Sequence, residues 1–175
     1  MPNRYTSNII SQMDARVLRM KELLVTAVSA EMQDQATLHQ QDREAVRQLL
    51  LNAFEGTQPD LTVATRTLVI DAALADLIGY GPLELLLPDP EISEIMVNGY
   101  KQVFVERNGE LLETDVKFEN DDHLLRIIDR IVSPLGRRVD PDNPTADARL
   151  PDGSRVNVII PPVAVDGPHL TIRKF

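Results

Sequence analysis

The stretch Ala146-Asp147-Ala148-Arg149-Leu150-Pro151-Asp152-Gly153-Ser154-Arg155-Val156-Asn157-Val158-Ile159-Ile160 sets the fold of the C-terminal half. Pro151-Asp-Gly-Ser154 is a tight-turn signal with apolar residues on both sides, so the segment reads as a β-hairpin. With Asp152-Gly153 as the turn, Pro151 pairs with Ser154 and Leu150 with Arg155, which puts Arg149 and Arg155 close to facing each other. A further strand is expected from Leu170 to Phe175, in Leu170-Thr-Ile-Arg-Lys-Phe175. Arg149, Arg155 and Arg173 are lone cations in strand-like segments. Such arginines either form ion pairs at the rim of a sheet or hold an anion.

Working outward, proline and glycine divide the 175 residues. Of 12 prolines only Pro2 and Pro59 precede Pro82, and of 8 glycines only Gly56 and Gly79 precede Gly81. The first 80 or so residues are therefore free to be helical, and the remainder is rich in turns. Ile9, Met13, Val17, Met20, Leu24, Val28 and Met32 recur at helical steps and predict one long helix over residues 8–33, capped by Ser7. A second helix is expected over residues 40–55, stopped by Gly56, with a turn at Thr57-Gln-Pro59-Asp60. A third runs from Leu61 to Ile78 and is apolar on most of its surface, so it should be buried. Short links make these a three-helix bundle over residues 1–80.

After Gly79-Tyr-Gly81-Pro82 a short helix is expected over Leu83–Leu87, and then the period changes. Ile92–Val97 is strand-like, and Asn108-Gly109 between two strand-like runs is a strong hairpin signal. Asn120 caps a helix expected over Asp121–Val132. Strands, one helix and more strands give an α+β class, with a small mixed sheet domain over residues 81–175.

Composition narrows the function. The chain has no cysteine, which removes disulfides, thiolate metal sites and cysteine nucleophiles and fits a reducing compartment. No segment reaches the roughly 18 uninterrupted apolar residues of a membrane span. The reading is a soluble intracellular protein. Net charge is −9. Residues 59–100 carry −6 of it, with Arg66 the one cation there. An acidic middle argues against a nucleic-acid partner and suits either a solvated face or contact with a basic partner. There is no GxxxxGK[ST] phosphate loop, no GxGxxG and no GxSxG. His39, His123 and His169 are scattered without metal-ligand spacing, and His39 and His123 are expected at the surface. No carboxylate pair stands out for acid–base work. From spacing alone, Arg149 and Arg155 also suit ion pairs with Asp147 and Asp152.

The ordered motifs Gly79-Tyr-Gly-Pro-Leu-Glu-Leu-Leu-Leu-Pro-Asp-Pro-Glu-Ile-Ser-Glu-Ile-Met-Val-Asn98, Val103-Phe-Val-Glu-Arg107, Leu124-Leu-Arg-Ile-Ile-Asp-Arg-Ile-Val132, Gly136-Arg-Arg138, Asp147-Ala-Arg-Leu-Pro-Asp-Gly-Ser-Arg-Val-Asn157 and Leu170-Thr-Ile-Arg-Lys-Phe175 resemble the secretion and pilus ATPases. Within that superfamily they are most similar to the CpaF branch, the motors of tight-adherence (Tad) pili. The resemblance covers about residues 75–175 and is loose before that. It implies an N-terminal domain that precedes a RecA-like motor domain carrying the Walker residues, none of which occurs in this sequence. The chain is therefore expected to be inactive itself and to belong to a hexameric ATPase. ATP with Mg2+ would lie between the two domains of that ATPase. Residue by residue, the resemblance places Arg155 and Arg173 at phosphate-contacting positions, with Arg149 a third candidate. Arg137 and Arg138 match a basic motif without an assigned role. The partners implied are the motor domain, neighbouring subunits and the inner-membrane platform of a pilus or secretion machine, from a cytoplasmic position. The alternative reading is a non-catalytic adaptor whose arginines are structural.

Overall fold

A computed structural model describes residues 3–34, 42–57 and 60–175. The chain is mixed α/β, and its contacts divide it into two compact units. One is Ser11–Gly81; the other joins the N-terminal segment up to Ile10 with Pro82–Phe175.

The first unit is built from α2 (Ala15–Asp34), α3 (Arg43–Thr57) and α4 (Val63–Ile78), preceded by the short α1 (Asn8–Gln12), which straddles the division. The expected helix over residues 8–33 is broken between α1 and α2. Asp14 breaks it: its Oδ1 accepts the Val17 N–H at 2.9 Å, so it caps α2 instead of continuing α1. A short acceptor side chain competes with the helical backbone in this way. Ser7 caps α1 as expected, with its Oγ accepting from Ile10 N–H at 3.2 Å. α3 does not stop at Gly56 but runs through it to Thr57, because Gly56 does not adopt the positive φ of a helix-ending glycine. The turn expected at Gln58-Pro59 lies outside the described residues. Thr62 caps α4. Val17, Leu24, Val28, Val46, Leu50, Phe54, Ile70 and Leu74 form one shared core. Inside this apolar unit Lys21 Nζ lies 2.8 Å from Asp76, both side chains at about 95% burial (6% and 5% exposed). Among the described residues no helix is long and apolar enough to cross a membrane.

The second unit is a seven-stranded mixed sheet with one long helix. The strands are β1 (Arg4–Tyr5), β2 (Ile92–Asn98), β3 (Val103–Arg107), β4 (Glu110–Thr114), β5 (Thr145–Arg149), β6 (Arg155–Ile159) and β7 (His169–Arg173), in the spatial order β1-β4-β3-β2-β7-β6-β5. All neighbours are antiparallel except β1 and β4. Asn108 (φ 53°) and Gly109 (φ 80°) both take positive φ, the requirement of the two-residue turn joining β3 to β4. Alternation gives the sheet two unlike faces. Ile95, Val97, Val103, Val105, Val156, Val158, Leu170 and Ile172 are buried on one face, while their neighbours Glu94, Glu106, Arg155, Asn157 and Arg173 are on the other. α5 (Asp121–Val132) supplies Leu124, Ile127, Ile128 and Ile131 to the core. Its cap is the predicted one, Asn120 Oδ1 accepting His123 N–H at 2.8 Å.

The β5–β6 hairpin departs from expectation by one residue. Arg149, not Leu150, is opposite Arg155. Leu150 N–H donates to Ser154 O at 2.8 Å, and the loop is Pro151-Asp152-Gly153, with Gly153 at φ 91°. A three-residue loop with its last residue in the left-handed region is the next commonest hairpin closure after the two-residue turn. A one-residue slip exchanges the faces of a strand. In the two-residue register Arg149 would share the face of Val156; in the observed one it shares the face of Arg155.

Candidate functional site: a row of arginines across the sheet

The three arginines expected to hold an anion stand side by side. Arg149 is directly paired with Arg155, Arg155 with Arg173, and Arg173 with Glu94, so one line crosses β5, β6, β7 and β2 on the polar face. Directly opposed residues keep their Cβ atoms about 4.5–5.5 Å apart, and like charges so placed are destabilising. The row contains two such pairs. The side chains are largely in solvent, Arg155 at 65% and Arg173 at 73% exposure.

Each arginine is held differently. Asp147 takes both donors of the Arg155 fork, Nε at 3.1 Å and Nη2 at 2.8 Å. This bond holds the Asp147 carboxyl below the usual carboxylate range, with the Arg155 and Arg137 charges adding to it, and it pushes the Arg155 guanidinium up. Arg173 lies 3.8 Å from Glu94, an attraction beyond hydrogen-bond range. Among the described residues Arg149 forms no ion pair. The ion pair considered between the hairpin arginines and Asp152 does not form. Asp152 Oδ1 instead accepts the Ser154 N–H at 2.8 Å and shapes the loop, which lowers the pKa of its carboxyl. The buried Ser154 Oγ in turn accepts the Phe175 N–H at 3.3 Å, tying the loop to the end of β7.

The Gly136-Arg137-Arg138 motif lies beside this row. Gly136 ends a short 3-10 turn at φ 71°, and Arg138 is ion-paired with Asp140. Asp140 closes its own loop by accepting N–H groups of Asp142 and Asn143. Arg137, Arg138, Asn143, Thr145, Asp147 and Asn157 line an open groove of about 680 Å³. The groove and the row share Asp147.

Sequence reasoning missed Glu94, the fourth member of the row. It falls inside the strand expected over Ile92–Val97, but nothing local says that β7 pairs there. His123 was expected at the surface and is buried, 3% exposed. Its Nδ1 accepts Glu119 N–H at 3.1 Å, and its ring meets Phe118 edge-on at 5.5 Å. The signal was present: His123, Ile127 and Ile131 are spaced four apart on the stripe that α5 buries. His169 is half-buried on β7, and His39 lies outside the described residues.

Comparison with known proteins places the sheet unit among relatives. The profile of the family described as Type II/IV secretion system protein matches residues 76–175. An uncharacterized protein of Methanocaldococcus jannaschii is 42% identical over 97 residues, covering 54% of this chain and 13% of that one. VirB11 of Agrobacterium fabrum is 33% identical over 95 residues, covering 53% of this chain and 27% of that one. The crystal structure of the VirB11 ATPase of the Brucella suis type IV secretion system in complex with sulphate matches with 28% identity and a TM-score of 0.48, over 54% of this chain and 29% of that one. This chain spans less than half the length of the curated relatives it matches.

Proposed function

This chain belongs to the type II/IV secretion system protein family, and from that premise we propose that it is the N-terminal part of a hexameric ATPase driving pilus assembly or secretion, of the CpaF (Tad pilus) branch. On this reading Arg155 and Arg173, with Arg149 beside them, reach the phosphates of ATP and Mg2+ bound on a motor domain outside these residues. The helices of Ser11–Gly81 act as a three-helix docking bundle. The partners are that motor domain, neighbouring subunits and inner-membrane platform proteins, met from the cytoplasm.

The observation that carries the reading is the row itself. Three guanidinium groups in direct cross-strand register cost stability, and they are compensated by one hydrogen-bonded carboxylate and one more distant one. A phosphate chain supplies the missing negative charge in a form the planar fork matches. Catalysis of phosphoryl transfer rests on such positioned cations. Mounted on a domain separate from the motor, they tie nucleotide state to domain motion.

In the whole ATPase carrying this sequence, Arg155→Ala and Arg173→Ala each lower ATP turnover by about 10²–10³ while hexamers persist. The 175-residue chain alone hydrolyses no ATP. The adaptor reading draws on the Asp147–Arg155 pair, which by itself is an ordinary surface contact. Wild-type turnover in both arginine variants would decide for it.

A further inference from the structure

Arg155 is the middle one of the three arginines in the row, yet its guanidinium is drawn out of the row onto Asp147. Asp147 is the direct partner of Asn157, two residues along β6 from Arg155. Its contact with Arg155 is therefore diagonal. To make two hydrogen bonds with Asp147, Arg155 must lean along β6 toward the Asp147–Asn157 pair, away from the line that joins Arg149 and Arg173. The two donors that Asp147 takes are the donors that a phosphate oxygen pair would take. Arg173 and Arg149 are under no such hold. The arginine best placed to join its neighbours on both sides is thus the one most firmly engaged elsewhere.

Asp147 has a second cation within reach of its charge. Arg137 acts on the Asp147 carboxyl, and both line the open groove, which leaves room for the carboxylate to turn. Arg138, the other cation of that loop, is already paired with Asp140.

We propose that Asp147 is a positioning residue that controls Arg155: it holds the guanidinium off the row, gives it up to an arriving polyphosphate, and turns toward Arg137. The proposal rests on the reading of the arginine row as a phosphate site and adds the group that regulates it. Anion capture then begins at Arg173 and Arg149 and is completed by Arg155. The role of Arg137 is to receive the displaced carboxylate.

The test uses the 175-residue chain and inorganic tripolyphosphate at low ionic strength, with binding followed by titration calorimetry. Asp147→Asn and Asp147→Ser are both made, because an amide oxygen can retain part of the hold. Both bind about three- to fivefold more tightly than the parent chain, the range set by an exposed ion pair, with Ser gaining at least as much as Asn. Asp147→Glu returns the affinity to the parent level. Adding Arg155→Ala to Asp147→Ser abolishes the gain, an outcome that a general change in surface charge would not produce. If Arg155→Ala alone weakens binding but neither Asp147 variant strengthens it, the control by Asp147 is wrong and the phosphate reading stands. If Arg155→Ala leaves tripolyphosphate binding at the parent level, the phosphate reading itself is wrong. Absence of binding by parent and Asp147 variants alike overturns the control by Asp147.

Discussion

Asp89 shows how single side chains stabilise the sheet unit. Its Oδ2 accepts the Tyr5 hydroxyl at 2.8 Å, its Oδ1 accepts the Glu91 N–H at 2.9 Å, and Arg107 Nε lies 3.4 Å away. Glu91 is itself ion-paired with Arg107, and Lys174 Nζ donates to the Asp89 carbonyl at 2.6 Å. Burial alone pushes the Asp89 carboxyl up. The hydrogen bonds from Glu91 and Tyr5 and the charge of Arg107 outweigh it, and the group titrates below the usual carboxylate range. Burial, the hydrogen bond to Asp89 and the Asp89 charge push the Tyr5 phenol up to about 12. The signs follow from linkage. The Asp89 contribution is fully present above the ordinary carboxylate range and is lost as pH falls through it toward the lower pKa of the folded state. The Tyr5 contribution is present below the ordinary phenol value of about 10 and is lost as pH rises toward 12. Asp89→Asn is expected to cost about 1–3 kcal/mol at neutral pH and to flatten the acid limb of the stability profile. Urea unfolding at a series of pH values checks this; parallel acid limbs for the two proteins would remove Asp89 as the cause.

At the level of elements, the β5–β6 hairpin shows what local sequence conveys. Its existence and its flanking arginines were legible from Pro151-Asp-Gly-Ser154, but its register was not. Asp152-Gly153 fits both a two-residue turn and the end of a three-residue loop, and the choice is made when Ser154 pairs with Leu150 and is tied to Phe175. The Asn108-Gly109 turn and the Asn120 cap were legible because each is decided within a few residues. The break at Asp14 was obscured because the apolar spacing continues through it. Gly153 gives a measurable consequence. At φ 91° any other residue is strained, and an added Cβ would stand 3.2 Å from the Phe175 ring. That ring is 97% exposed and can move aside, so the backbone term decides. Gly153→Ala should cost about 1–2 kcal/mol. Gly56→Ala, in α3 with no atom within 4 Å of the new methyl and no positive φ, should instead stabilise by about 0.5–1 kcal/mol. Thermal denaturation of the two variants reads opposite signs, and a stable Gly153→Ala would mean that the loop reshapes.

At the scale of the whole molecule, the sheet unit is discontinuous in sequence, joining the N-terminal segment up to Ile10 with Pro82–Phe175. Arg4 and Tyr5 pair in parallel with Glu113 and Thr114 of β4, and Arg4 is ion-paired with Asp115 at 2.9 Å. Two residues carry no strand period, so this edge strand had no local signal. The same limit hid the order of the sheet and hence Glu94, while the division into a mostly helical part before Pro82 and a strand-rich part after it was legible from proline, glycine and the period of the apolar residues. Tyr5 is 7% exposed and reaches Asp89 across 84 positions of sequence. Its loss therefore falls on the sheet unit, although α1 and the helices α2–α4 are nearer in the chain. Tyr5→Ala should destabilise that unit by about 3–5 kcal/mol, the range for a buried aromatic. Amide hydrogen exchange distinguishes the units, because each opens with its own free energy. The amides of β3 and β4 should exchange faster in Tyr5→Ala, with those around Leu50 and Leu74 little changed. Faster exchange confined to α2, α3 and α4 would assign the N-terminal segment to the helices instead.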